Sequence, residues 1–316
     1  MRRAQQRQAA AGDALAPYVV MNVLHPDPEP ARLDTTRCRR DEALEASTDE
    51  AGDASTHRPR LDAPLAGNQR HMPPGEVSGA PATYVALGDS ISIDEYAGGP
   101  GWGGASLFAR NRDDYFPEWR GRDLASLHPD LRYRLLAMDG GTTQTLLNSQ
   151  LPLLESSGVA PTVVTLTVGG NDILQTYGDT QHAREVVQVV RRRVGQALAR
   201  IGRLLQSPGN PVIVGTIYDP SDGSGDASQV GLPAWPQVVD VLAELNTELR
   251  TVAEEHGARL ADIHGHFLGH GLQSGNPAQR HPQPDDRDLW YCNVIEPNAW
   301  GANGVRTAFW DALRLG

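Results

Sequence analysis

Five short runs of apolar and β-branched residues recur along the chain: Thr83–Leu87, Leu131–Leu136, Thr162–Val168, Pro211–Ile217 and Arg259–Ile263. Their length and composition predict strands. Between them, apolar positions return every three or four residues and predict helices over Thr145–Leu154, His182–Leu205, Trp235–His256 and Gly301–Leu315. In the second of these, Val186, Val190, Val194, Leu198, Ile201 and Leu205 form one stripe; in the last, Val305, Phe309 and Leu313 are spaced by four. Strands that are apolar throughout and joined through helices must be buried on both faces. The pattern therefore predicts an α/β fold, a three-layer α/β/α sandwich around a mostly parallel five-stranded sheet, with its chemistry beyond the C-terminal strand ends.

Residues 1–81 lack either period and are rich in Ala, Asp, Glu, Arg and Pro, which predicts a poorly structured N-terminal tail ahead of a single folded domain at 82–316. A chain of 316 residues carrying such a tail suits one core. The formal net charge of −11 disfavours a nucleic-acid partner. All the basic side chains besides histidine are Arg, so no lysine nucleophile is available. Cys38 and Cys292 lie far apart and are not expected to pair. No apolar run approaches the length of a membrane span, and the stretch Leu15–Leu24 is broken by Pro17 and Asn22, which favours a cytoplasmic location over secretion. The pattern leaves oligomeric state open.

Polar residues cluster at the ends of the first three predicted strands. Ser90, in Gly88-Asp89-Ser90, stands just past the first; as the start of a helix it can offer its hydroxyl and its own N–H to one carbonyl, and the alternative is a simple N-cap. Gly140-Gly141 follows the second, where paired glycines let an amide face a ligand oxygen or simply make a turn. Asn171, in Gly169-Gly170-Asn171-Asp172, follows the third and can add a side-chain donor to an oxyanion.

These three blocks in this order resemble the SGNH, or GDSL-type, hydrolases over roughly Thr83 to Leu315. The resemblance implies an esterase or acyl hydrolase with Ser90 as nucleophile and an oxyanion site formed by Ser90, Gly140 and Asn171, with Gly141 an alternative to Gly140. It implies a small-molecule ester, lipid or acylated-sugar substrate, and no cofactor or metal. The family's last block, Asp-x-x-His, is replaced by Asn293-Val294-Ile295-Glu296, followed by Pro297-Asn298. Three readings stand open. Glu296 is the base, given enough burial to raise its pKa; the base has moved to His270, with His264 and His266 as neighbours, an imidazole being better matched to neutral pH; or the fold binds a ligand without turnover. Asp262, His264, His266 and His270 have donors for zinc but no second ligand set. The segment Asp219–Asp226 has the composition of a calcium loop without its closing glutamate, so a loop held by Asx turns at the edge of the cleft is expected instead. The glycine-rich run Gly98–Gly104 is either a cleft wall or a bend.

Overall fold

The computed structural model describes residues 81–278 and 289–315. The expected tail falls, apart from Pro81, outside them. All five predicted strands form: β1 (Thr83–Gly88), β2 (Arg132–Leu135), β3 (Val163–Thr167), β4 (Val212–Gly215) and β5 (Arg259–Ala261). They make one sheet in the order β2-β1-β3-β4-β5 with every pairing parallel. The central strands β1, β3 and β4 are buried at every position, as the unbroken apolar runs require. At the edge, β2 alternates exposed arginines with half-buried Tyr133 and Leu135, and Tyr133 stacks on Tyr84 of β1 at 5.0 Å between ring centroids.

Helices α1 (Gly104–Ala109), α2 (Leu124–Leu127), α3 (Thr143–Thr145), α4 (Leu151–Ser156), α5 (Gly170–Leu174), α6 (Thr180–Leu204), α7 (Val238–Glu255), α8 (Ile263–Phe267) and α9 (Ala299–Arg314) connect and cover the sheet. In one layer α6 packs on α7; in the other α9 packs on α1. The α6 stripe is buried at Val190, Val194, Leu198 and Ile201, and Val187 rather than Val186 is its buried valine on the N-terminal side. A short antiparallel hairpin, β6 (Tyr291–Cys292) and β7 (Glu296–Pro297), precedes α9.

Two departures from the periodic pattern bear on the site. The apolar run Pro211–Ile217 stops pairing early because the Asn246 side chain from α7 takes both the N–H of Ile217 at 2.7 Å and its carbonyl at 2.8 Å. The helix expected over Thr145–Leu154 starts at Thr143 and widens into a π-turn over Leu146–Gln150 before continuing as α4. Such turns re-aim side chains. Gln150, at the end of this one, reaches back to the last residue of β1, accepting from the N–H of Gly88 at 2.8 Å and donating to its carbonyl at 2.7 Å. Cys292 is disulfide-bonded, against the expectation from spacing; its partner lies outside the described residues. Separation along the chain is a weak guide here, since loop-closure entropy grows only logarithmically with length.

Candidate active site

Three adjacent strands deliver the site. At the end of β1 the chain turns sharply through Asp89–Ser92, with Ser92 N–H on the Asp89 carbonyl at 3.2 Å and Ile93 N–H on that of Ser90 at 3.3 Å. Ser90 therefore lies in a turn and not at a helix start; the first helix begins only at Gly104. The helix N-terminus expected at Ser90 is absent because Asp94 instead gathers the N–H groups of Gly101 and Gly103, folding the glycine-rich run into a bend. That bend does not line the cleft at Ser90.

At the end of β2, Gly140 adopts φ +64°, while Gly141 lies so close to β1 that a Cβ on it would meet the Gly88 carbonyl at 2.4 Å. The N–H of Gly141 is engaged by Met138 at 3.1 Å. The N–H groups of Gly140 and Ser90 have no hydrogen-bond partner among the described residues. At the end of β3, Asn171 donates one amide proton to the Gly141 carbonyl at 3.0 Å, which fixes its side chain and leaves the other proton for a ligand. Asp172 beside it is buried and bonded to Thr143. The Gly140 and Asn171 blocks are thus tied to each other and, through Gly141, to β1.

Glu296, on β7, comes to the same place. Its carboxyl group is buried and lifted to about 7, chiefly by loss of water, with the Ser90 side chain as the hydrogen-bonding neighbour that draws it back down and Asp139 raising it further. Its Oε2 atom has no hydrogen-bond partner among the described residues. Asp89, likewise buried, is lifted to about 8, first by burial and in smaller part by the charges of Glu296 and Asp172, against hydrogen bonds from Thr167 and Ile91. Two buried carboxyl groups therefore flank one serine.

The histidines lie elsewhere. His270 stacks on Trp290, ring centroids 3.7 Å apart and planes 12° from parallel. His264 sets Nδ1 against the Ile217 carbonyl at 3.1 Å, and His266 Nε2 faces Asp311 at 3.7 Å. None of the three lines the cleft that holds Ser90 and Asn171. Asp262 caps α8 by accepting from Gly265 N–H at 3.0 Å, and among the described residues no group of His, Cys, Asp and Glu converges as metal ligands would. In the segment after β4, the Asp219 carboxylate accepts from Ser221 and Gly223, and that of Asp222 from the N–H groups of Gly269, Gly271 and Gln273. Asp219 and Ser221 border the cleft, as expected of an Asx-held loop. The remaining walls are apolar: Ile173, Leu174, Ile217, Trp235, Leu242 and Leu272, closed by Val294 and Ile295 from the turn before Glu296. Sequence reasoning did not identify Gln150, Tyr218 or the buried Asp89 carboxyl as parts of the site. A glutamine on a helix and a tyrosine past a strand carry no local pattern, whereas Asp89, inside the first block, had one.

A serine, a glycine amide and an asparagine amide thus converge at the C-terminal ends of three adjacent parallel strands. Residues 86–301 match the GDSL-like lipase/acylhydrolase family, and the chain belongs to it. No curated protein matches the chain. Among solved structures, an extracellular lipase from Streptomyces rimosus is 23% identical, with a TM-score of 0.49 over 73% of this chain and 99% of that one. An acetyl-xylooligosaccharide esterase from Geobacillus stearothermophilus is 14% identical, with a TM-score of 0.50 over 75% of this chain and 95% of that one. A phospholipase A1 from Streptomyces albidoflavus is 22% identical, with a TM-score of 0.48 over 74% of this chain and 100% of that one. Among the described residues no helix is long and apolar enough to cross a membrane.

Proposed function

We propose that the protein hydrolyses carboxylic esters through an acyl-enzyme on Ser90, with Glu296 as the general base. The observation that carries this reading is the Glu296 carboxyl group, buried beside the Ser90 hydroxyl with one oxygen unpartnered and its pKa near 7. An ordinary carboxylate is too weak a base for a serine hydroxyl at neutral pH, and a base is best matched when its pKa lies near the working pH. Burial supplies that match in place of an imidazole.

Ser90 Oγ attacks the ester carbonyl carbon as its proton passes to Glu296. The oxygen that becomes negative is held by the N–H groups of Ser90 and Gly140 and the Asn171 amide. The intermediate collapses, the C–O bond to the alcohol breaks, and protonated Glu296 returns its proton to the leaving oxygen. Water then attacks the acyl-enzyme, Glu296 takes the water's proton, and the acid leaves as Ser90 recovers its own. The apolar walls of the cleft suit an acyl or lipid portion of a small-molecule ester.

The test compares kcat/KM on a p-nitrophenyl ester for wild type, Ser90→Ala, Glu296→Gln and His270→Ala, each checked for folding. Loss of activity in the first two variants, with His270→Ala near wild type, is expected. Activity retained by Glu296→Gln and lost by His270→Ala would assign the base to the histidine instead. The wild-type rate should rise with pH through about 7 as Glu296 loses its proton; a histidine base would rise through about 6.5, so the variants and not the profile decide.

A further inference from the structure

Between Cys292 and Glu296, which face each other in the β6–β7 register, the chain passes through three residues, the first two at positive φ. Asn293 has φ +45° and Val294 φ +72°, and the N–H of Ile295 donates to the Asn293 carbonyl at 2.9 Å. This is a γ-turn centred on Val294 with positive φ, a rare and strained form. A β-branched side chain is among the least suited to that region, and glycine would occupy it without penalty. Strain of this kind persists only where the surroundings over-determine the backbone.

Here they do. The Tyr218 hydroxyl donates to the Ile295 carbonyl at 2.5 Å, one residue before Glu296. Tyr218 is itself immobilised: it is buried, its ring stacks on Phe267 at 4.6 Å, and Tyr291 packs edge-on against it at 5.1 Å. Because Tyr218 follows β4, it refers the turn to the sheet that also carries Ser90. On the other side of Glu296, Asn298 caps α9 by accepting from Trp300 and Gly301 N–H and donates to the Leu289 carbonyl at 2.6 Å. Val294 and Ile295 meanwhile supply side chains to the cleft wall.

We infer that the strained turn Asn293–Ile295, clamped by Tyr218, is the device that holds the Glu296 carboxylate against Ser90, with Tyr218 as the positioning residue. The inference rests on the reading of Glu296 as base. The titratable groups around Glu296 are Asp89 from the end of β1, Asp139 from the end of β2, Tyr96 from the segment before α1, and Tyr218. All are acidic or neutral, so apart from the Ser90 hydroxyl it is the hairpin that keeps the carboxylate in place. Released from the clamp, it would swing toward water and regain the proton affinity of an ordinary glutamate.

Tyr218→Phe removes the hydroxyl and keeps the ring. Its kcat should fall about tenfold or more with KM little changed, whereas Val294→Gly, which relieves the positive-φ strain and keeps the Tyr218 bond, should leave the midpoint of Glu296 near that of wild type. In Tyr218→Phe the rising limb of kcat should move from about 7 toward about 4.3. The carboxyl titration of Glu296, followed by NMR in protein labelled at glutamate and identified by the signal lost in Glu296→Gln, should move with it. A residue that merely supports the fold would lower the melting temperature and leave that midpoint alone. A midpoint in Tyr218→Phe equal to that of wild type overturns the inference. The titration needs no turnover, so it decides positioning even if activity retained by Glu296→Gln refutes the base.

Discussion

The Asp172 carboxylate binds Thr143 twice, accepting its N–H at 2.9 Å and its hydroxyl at 2.6 Å. This pair fastens the end of β3 to the segment after β2, so the Asn171 amide and the Gly140 N–H are set by one connection. Arg193 of α6 backs it, 3.6 Å from Asp172 and 3.2 Å from the Thr143 hydroxyl.

The adjacent residues Asn171 and Asp172 should therefore separate in their effects. Asn171→Ala removes the proposed oxyanion donor and is expected to lower kcat by about 10²–10³, with only the small loss of stability that goes with its bond to the Gly141 carbonyl. Asp172→Ala leaves buried Thr143 groups unpaired and should cost about 1–3 kcal/mol of stability as well as activity. Measuring kcat and thermal unfolding on both variants checks this; equal stability losses would contradict the division of labour.

The raised carboxyl groups make stability depend on pH in a specific direction. Glu296 at about 7 and Asp89 at about 8 hold their protons more tightly folded than unfolded. Their contribution is complete below the unfolded value near pH 4 and is lost as pH rises through the folded values. For Glu296 the displacement amounts to about 3 kcal/mol. Glu296→Gln carries no charge to bury, so it should gain stability relative to wild type between about pH 5 and 8. Parallel thermal melts of the two proteins across that range test it, and a constant difference would show that Glu296 is not held protonated.

Gly88 should tolerate no side chain. At φ +122° an added Cβ would stand 1.7 Å from the Thr167 carbonyl of the neighbouring strand. Gly88→Ala must part β1 from β3 or twist the turn into Ser90, and a loss of at least about 3 kcal/mol is expected. Urea unfolding reads it directly; a variant of wild-type stability would mean that the strand ends are loosely packed.

Most of the architecture was legible in local pattern. The apolar runs at Thr83, Thr162 and Arg259 gave strands of a parallel sheet, because a residue buried on both faces must be apolar whatever its neighbours; that the last is an edge strand came from the structure. Boundaries moved where a distant side chain intervened: Asn246 ended β4, and a π-turn replaced the regular start of the helix after Gly141. The convergence of Ser90, Gly140 and Asn171 was legible because each follows a strand, and parallel strands bring their C-terminal ends together.

The neighbour of Ser90 was not legible in that way. By itself the sequence determined the five strands and their parallel arrangement, the glycine-bearing strand ends and the absence of histidine from the last block. Which of Glu296 and the histidines reaches Ser90 was decided by tertiary structure alone. Contact between residues so far apart depends on where a hairpin is clamped, through Tyr218 and Asn298, and on how much water that clamping removes. The same burial sets the proton affinity of Glu296, and a carboxyl group in a sequence shows neither its neighbours nor its solvent.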